Sequence, residues 1–151
     1  MNVTYVPLNT SPTAAWLPIV NDAKVREHLM PHPQFDESLL QQWLAGKLEV
    51  DSQPGCRVRA IVCNGQLAGW CGIQETAGEY ELAVVVHPRF KGLGLQAYQE
   101  LMAWAKDFGH SHVLVHFLHT RPLYRFLQKR AVTVEHRELF GQQFTSYTLA
   151  V

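Results

Sequence analysis

A glycine-rich turn near the middle of the chain has the residue types and spacing of an anion site. It reads HPRFKGLG at residues 87–94, and a segment with helical spacing of apolar residues follows it. The first N–H groups of a helix lack intrahelical partners, and the helix dipole makes that end electropositive. Gly-x-Gly before a helix also occurs in ordinary turns. We expect an anion here, bound by side chains or N–H groups of Arg89, Lys91, Gly92, Leu93, Gly94, Leu95 and Gln96.

The histidines and cysteines could in principle bind a metal, but their spacing does not favour it. His110, His112 and His116 have even spacing and would share one face of a strand. No carboxylate or cysteine accompanies them at ligand spacing. The three cysteines are odd in number and lack paired CxxC spacing, which indicates reduced packing residues. We expect no metal cofactor, and a metal-binding protein built on the histidines stays as an alternative.

Composition and charge narrow the classes of partner. The 151 residues include 13 basic and 13 acidic side chains, so the formal net charge is zero and no global field attracts nucleic acid or an anionic membrane. The N-terminal stretch lacks the features of a signal peptide, and no apolar run approaches membrane-spanning length. We expect a cytoplasmic protein with a single domain over residues 1–151, which binds neither nucleic acid nor a membrane.

The first third of the chain predicts one strand and two helices. Residues 3–8 alternate like a strand. Residues 10–29 have the pattern of a helix, which Pro18 interrupts or delimits. A second helix is predicted from Asp36, which can cap its start, to Gly46, which can end it.

The rest of the chain predicts a mixed sheet around the glycine-rich turn. Residues 57–86 read as an antiparallel meander, with Asn64-Gly65 as the strongest hairpin signal. The fold class is α+β: a central twisted mixed sheet of about six to seven strands, antiparallel in its N-terminal part, flanked by about four helices. The strands before and after the turn form its parallel pair. The later segments are a helix ending at Gly109, a strand at 112–118, a short helix within 120–130 and a closing hairpin across Gly141.

The order of elements and the turn resemble the GNAT family of N-acetyltransferases over about Arg57 to Val151. The clearest resemblance is VVVHPRFKGLGLQAYQELMAWA, since members read a hydrophobic strand, Pro, an aromatic, a basic residue and Gly-x-Gly before a helix. The residues at those places are Pro88, Phe90, Lys91, Gly92 and Gly94. The chain departs from the motif Q/R-x-x-G-x-G/A at two positions, where Lys91 replaces Arg or Gln and Gln96 replaces Gly or Ala.

The resemblance implies acetyl-CoA as co-substrate and assigns residues to it. The turn would bind the diphosphate. The backbone of Val84, Val85 and Val86 would hold the pantetheine arm like an added strand, and the N–H near Val85 would polarise the thioester carbonyl. His119 stands where the family often has an Asn, within HTRPLYRFLQKRAV.

The resemblance also suggests groups that move protons. Removing a proton from an amine needs a base or a water chain, and a Glu near the YELAVVV strand often serves in the family. Glu81 is the first candidate and Glu79 the second, although either could simply solvate a strand end. Phe126 stands at the position of the Tyr that protonates the departing thiolate, so Tyr124 would replace that Tyr only if the helix starts differently.

The expected function is transfer of an acetyl group from acetyl-CoA to a primary amine of a small molecule or peptide, by direct attack in a ternary complex. Gln96 and Phe126 motivate an alternative, a GNAT-like module that binds acyl-CoA without turnover. The last hairpin could pair across a homodimer.

Overall fold

One mixed sheet organises the part of the chain that the computed structural model describes, residues 2–27, 29 and 31–151. Numbered along the chain, its strands are β1 (Val3–Val6), β2 (Arg57–Cys63), β3 (Gln66–Thr76), β4 (Glu79–Val86), β5 (His112–Leu118), β6 (Ala131–Leu139) and β7 (Gln142–Ala150). Within the described residues they form a seven-stranded sheet in the order β1-β2-β3-β4-β5-β7-β6. Neighbouring strands are antiparallel except β4 and β5. The predicted α+β fold with its parallel pair is therefore confirmed.

Helices cover both faces of the sheet. They are α1 (Leu17–Val20), α2 (Ala23–Glu27), α3 (Glu37–Asp51), α4 (Leu93–Phe108) and α5 (Arg125–Arg130), with 3₁₀ turns at Leu8–Thr10 and Thr13–Trp16. On one face, Ala97 and Leu101 of α4 belong to a buried cluster with residues of β2, β3, β5 and β7. On the other, Leu40 and Leu44 of α3 pack with Trp16 in a second cluster. Among the helices of the described residues, none has both the length and the apolar character needed to span a membrane.

Tight turns join the strands of the antiparallel meander. Asn64 and Gly65 have φ values of 52° and 79°, and Ala77 and Gly78 have 53° and 81°. Two consecutive positive φ values make the primed turn that matches the twist of paired strands. The Asn64-Gly65 hairpin lies where the sequence predicts it, and the second turn lies within the predicted meander.

Helix α3 continues beyond its predicted end, so the prediction that Gly46 terminates it is wrong. Leu44 is buried before the glycine, and Leu48 and Val50 pack against the same cluster after it. A glycine inside a helix costs about 1 kcal/mol relative to Ala. Burial of the following apolar side chains offsets that cost, and the helix ends at Asp51, which accepts a hydrogen bond from the N–H of Val58.

The short helix α5 begins later than predicted, at Arg125. The N–H of Tyr124 donates to the hydroxyl of the buried Tyr147 at 3.0 Å, and this bond holds Tyr124 in extended conformation. The predicted first helix is divided into a 3₁₀ turn, α1 and α2. The side chain of Asn21, between α1 and α2, exchanges two hydrogen bonds with the backbone of Phe35, and residue 28 of that prediction lies outside the described residues.

Candidate functional site

The parallel strands β4 and β5 pair only briefly, which leaves an opening in the middle of the sheet. Among the described residues a single bridge, Glu81 with Leu114, joins the two strands. Beyond it β5 continues to pair with β7 as far as Leu118, whereas β4 continues to Val86 beside β3. The facing edges of β4 and β5 therefore offer backbone groups to a ligand.

The register of β4 shows which backbone groups face the opening. The N–H of His87 donates to the carbonyl of Ala68 on the β3 side at 2.8 Å. Because inward and outward groups alternate along an antiparallel pair, the N–H groups of Val84 and Val86 face the opening and that of Val85 faces β3. The side chains alternate too: Val84 and Val86 pack on the α4 side, and Val85 packs on the α3 side.

The glycine-rich turn lies directly after this edge of β4. Gly92 caps α4 in the left-handed conformation with φ 81°, and no side chain caps the helix. A Cβ at Gly92 or Gly94 would have no heavy atom within 4 Å, so space is open in front of the first N–H groups. Buried Leu93 anchors the helix start, while the side chains of Arg89, Lys91, Leu95 and Gln96 are exposed.

His87 holds the turn instead of facing the opening as a free base. Its Nδ1 accepts the N–H of Arg89 at 3.1 Å, and its carbonyl accepts the N–H of Phe90 at 2.9 Å. A neutral ring that accepts at Nδ1 carries its proton on Nε2, which lies 3.3 Å from Oδ2 of Asp22. His87 thus ties the turn to the start of α2.

Glu81 and His116 lie together at the closed end of the opening, on the α3 face of the sheet. Nε2 of His116 is 3.9 Å from Oε2 of Glu81, and Nδ1 of His116 is 2.7 Å from the hydroxyl of buried Ser146. Burial raises the pKa of Glu81, and the charge of Lys47 opposes that rise. Burial also lowers the pKa of His116, and Arg137 adds to the effect while Glu79 opposes it. The pair combines a more basic carboxylate with an imidazole that favours its neutral form.

Glu79, the other predicted base, is committed to an ion pair. Its Oε1 accepts a hydrogen bond from Arg137 at 2.8 Å, and Arg137 also bonds Glu135 at 3.0 Å. Glu79 and Glu81 line one small cleft of about 70 Å³, together with His116 and the hairpin residue Phe140.

Tyr124 and His119 lie near the open end of β5. The ring of Tyr124 is 46% exposed, and its centroid is 6.2 Å from that of Phe117 and 5.8 Å from that of Phe126. Those two rings belong to the α4 side of the core. His119 is exposed, donates from Nδ1–H to the carbonyl of Gln143 at 3.2 Å, and lines a cleft of about 510 Å³ between α2 and the end of β5.

Lys47 and Ser146 are the site residues that sequence reasoning missed. Lys47 donates to the side-chain oxygen of Gln74, and its Nζ lies 4.7 Å from the ring centroid of Trp70. A sequence signal existed, since Lys47 follows Trp43 and Leu44 at helical spacing on the apolar side of α3. Ser146 is 1% exposed and lies in β7 directly after Thr145, which is also buried. Over the described residues, no group of three His, Cys, Asp or Glu side chains could hold a metal ion.

Comparison with known proteins agrees with this geometry. The model of the acetyltransferase (GNAT) family matches residues 17–130. RimL, a ribosomal L7/L12 alpha-N-protein acetyltransferase solved with coenzyme A, is 13% identical with a TM-score of 0.76, over 100% of this chain and 95% of that one. The yncA protein of Salmonella typhimurium, solved with acetyl-CoA as its cofactor, is 18% identical with a TM-score of 0.67, over 99% and 94%.

A further likeness concerns a GNAT-family acetyltransferase of Bacillus anthracis, which is 14% identical with a TM-score of 0.71 over 100% of this chain and 95% of that one. At these identities the likenesses to solved structures show the fold. Comparison with curated protein sequences gave no significant match.

Proposed function

Because this chain belongs to the acetyltransferase (GNAT) family, we propose that it transfers an acetyl group from acetyl-CoA to the primary amine of a small molecule or peptide. The amine attacks directly, in a ternary complex. The observation that carries the proposal is the opening between β4 and β5, with an uncapped helix start at one end and Glu81 beside His116 at the other.

The turn and the start of α4 would bind the diphosphate of acetyl-CoA. Free N–H groups at the start of a helix suit an anion. The proposed groups, Lys91 through Gln96, include the left-handed Gly92, where a Cβ would meet no heavy atom within 4 Å. Arg89 and Lys91 are exposed beside them and can screen the remaining charge. His119, at the mouth of the opening, is a further proposed contact of the cofactor.

The open edge of β4 would hold the pantetheine arm. The N–H and carbonyl groups of Val84 and Val86 face the opening, so they can pair with the amides of the arm as a neighbouring strand would. An N–H fixed in this strand next to Val85 can also stabilise the negative charge that develops on the thioester oxygen.

Glu81 would remove the proton of the amine, directly or through water. An ordinary carboxylate is a weak base for an amine, and burial raises the pKa of Glu81 toward a more useful value. His116 Nε2 faces the carboxylate and can pass the proton on, while Ser146 fixes the ring through Nδ1. Glu79 is the second candidate, weakened by its bond to Arg137.

Tyr124 would protonate the departing thiolate. Its position before the first turn of α5, instead of inside it, differs from the predicted helix start and supports this role. The ring lies against Phe117 of β5 on the α4 side, where the cofactor would enter. A thiolate with an unperturbed thiol pKa of about 8.5 is also able to leave without this acid.

The test is isothermal titration with acetyl-CoA, followed by measurement of CoA release with a panel of amines. The proposal expects binding and release that depends on one class of amine. The second candidate is a module that binds acyl-CoA without turnover. It is favoured by Phe126, which stands at the position where the resemblance expects the proton-donating Tyr. The Phe126 ring packs edge-on against Tyr98, with 5.3 Å between the ring centroids. Binding without release on any amine would identify that module. Pairing of two copies through β6 and β7 is proposed as well, and gel filtration with light scattering tests it.

A further inference from the structure

Lys47 places a cation beside the proposed base, and among the described residues it forms no direct ion pair. Lys47 projects from α3 onto the sheet, where its Nζ donates to Gln74 and lies 4.7 Å and 5.8 Å from the ring centroids of Trp70 and Trp43. In the described part of the chain, no carboxylate lies within 4.0 Å of this ammonium. Its hydrogen-bond partner Gln74 and its aromatic neighbours Trp43 and Trp70 are neutral.

The acidic residues near Lys47 are already engaged elsewhere. Asp51, one turn further along α3, pairs with Arg59 and accepts the N–H of Val58. Glu79 pairs with Arg137. Burial lowers the pKa of Lys47 and the charge of Glu81 opposes that change, while Oε2 of Glu81 lies 3.9 Å from Nε2 of His116. Since no carboxylate of the described residues pairs directly with this half-buried ammonium among aromatic rings, it can bind the anion of a ligand.

Lys47 and Glu81 share one face of the sheet at a short separation. Gln74, which accepts the bond from Lys47, is the direct cross-strand partner of Glu81. Side chains of such partners lie next to each other on the same face. A small molecule that carries both a carboxylate and an amine could thus contact Lys47 with the first and Glu81 with the second.

We propose that Lys47 binds the carboxylate of the acceptor and that the acceptor is a free amino acid. This inference rests on the proposed acetyl transfer. The carboxylate meets the Lys47 ammonium, and the α-amine lies against Glu81 and His116. The amine loses a proton to Glu81, its nitrogen forms the C–N bond, and the C–S bond breaks to release the thiolate, which takes up a proton. A peptide N-terminus lacks a carboxylate next to its amine, so it leaves Lys47 without an anion.

The aromatic surroundings favour this pairing. The rings of Trp43 and Trp70 keep water from two sides of the ammonium, and an ion pair is stronger where water is excluded. Phe35 stands 6.1 Å from Trp43, centroid to centroid, and extends the apolar surface. An apolar amino-acid side chain would contact this surface.

The experiment compares each common amino acid with its own primary amide as acceptor, by CoA release at one neutral pH, where the Lys47 ammonium is favoured over its neutral form. The amine of an amide loses its proton more readily, so a site indifferent to the carboxylate prefers the amide. If Lys47 binds the carboxylate, the preference is reversed. The kcat/KM for the best amino acid should then be at least about tenfold above that for its amide. Because the result is the ratio of kcat/KM for two acceptors, an effect of a substitution on Glu81 that is common to both acceptors cancels.

Variants assign the preference to Lys47. Lys47→Met keeps the length of the side chain and should remove the preference, whereas Lys47→Arg should retain most of it. Lys106→Met, at an exposed position on α4, is the matched control and should leave the ratio unchanged. Circular dichroism melting and acetyl-CoA titration check that each variant is folded and loaded.

Three results would overturn the inference. The first is a kcat/KM for the amide that equals or exceeds that for its amino acid. The second is a preference for the amino acid that survives in Lys47→Met. The third is acetyl-CoA binding with transfer only to other amines or to none. The first two, and transfer to other amines, leave acetyl transfer itself intact. A parent protein that does not bind acetyl-CoA would instead remove the proposed function.

Discussion

At the scale of the residue, the proposed chemistry depends on the carboxylate of Glu81. It is half-buried, lies 3.9 Å from Nε2 of His116, and occupies the point where β4 and β5 stop pairing. Glu79 lies two residues earlier on the same face, but Arg137 holds its carboxylate at 2.8 Å. The Glu81 carboxylate is thus more available to accept a proton than that of Glu79, although the alternation of residues along the strand places both on the same face.

Replacing Glu81 by Gln should lower kcat/KM by about a hundredfold or more, because a positioned general base contributes on that order. The affinity for acetyl-CoA should not change, since the side chain lies on the α3 face, away from the proposed cofactor groups. Glu79→Gln is the matched control and should change kcat/KM only a few-fold. A large loss in Glu79→Gln with little in Glu81→Gln would exchange the roles of the two residues.

Removing the charge of Lys47 should shift the pH dependence of kcat/KM. Glu81 acts as a base only when deprotonated, so activity falls as the pH falls through its pKa. Burial raises that pKa, and the Lys47 charge lowers it. In Lys47→Met the pKa of Glu81 should rise, and the acid limb of the profile should move to higher pH. An acid limb that stays in place or moves to lower pH would mean that another group is the base.

At the scale of the element, the edge of β4 depends on how closely β3 approaches it. A Cβ on Gly69 would lie 1.9 Å from the carbonyl oxygen of Val85, a distance that no side chain tolerates. Gly69 is therefore required for the close approach of β3 to β4. That approach positions β4 so that Val84 and Val86 face the opening. The absence of a side chain at Gly69 therefore allows both the pairing of β3 with β4 and the position of the β4 edge at which acetyl-CoA is proposed to bind.

Gly69→Ala should destabilise the protein by about 1–3 kcal/mol, the usual cost of forcing atoms into a packed site. It should also weaken acetyl-CoA binding, since β4 must move. Gly46→Ala is the control: a Cβ there has no heavy atom within 4 Å, and Ala should stabilise α3 by about 0.5–1 kcal/mol. Urea unfolding measures both. Equal stabilities for Gly69→Ala and the parent would disprove the close crossing.

Elements with local signals were predictable from the sequence, and contacts between distant segments were not. Asn64, Gly65 and Gly92 adopt positive φ values, which these residue types accept readily. The hairpin and the helix start were therefore predictable from the local sequence. Gly46 misleads because burial of Leu48 outweighs its helix-ending tendency. The position of Lys47 beside Gln74, 27 residues away, depends on the packing of α3 on the sheet. The assignments of Glu81, Tyr124 and the cofactor groups stay predictions.

At the scale of the whole molecule, the sheet separates two approaches to one opening. The α4 face carries the helix start and Tyr124, and the α3 face carries Glu81, His116 and Lys47. In the proposed reaction, acetyl-CoA and the amine therefore approach the opening from opposite faces. Cys71 does not suit covalent transfer, because it is fully buried and burial raises its pKa to about 12.

Initial rates should give intersecting lines when both substrates are varied, and Cys71→Ala should keep most of its turnover. No acetylated protein should accumulate in mass spectra after incubation with acetyl-CoA alone. Parallel lines together with a stable acetyl adduct would indicate a covalent route and contradict direct attack.

The most direct test of the central claim, that acetyl-CoA binds between β4 and β5 with its diphosphate at the start of α4, is isothermal titration of the parent protein and Gly94→Trp. Gly46→Trp is the control, since both glycines have open space around them. The parent and Gly46→Trp should bind acetyl-CoA and CoA, whereas Gly94→Trp, equally folded, should lose at least about a hundredfold in affinity. Unchanged binding by Gly94→Trp, or none by the parent, would contradict it.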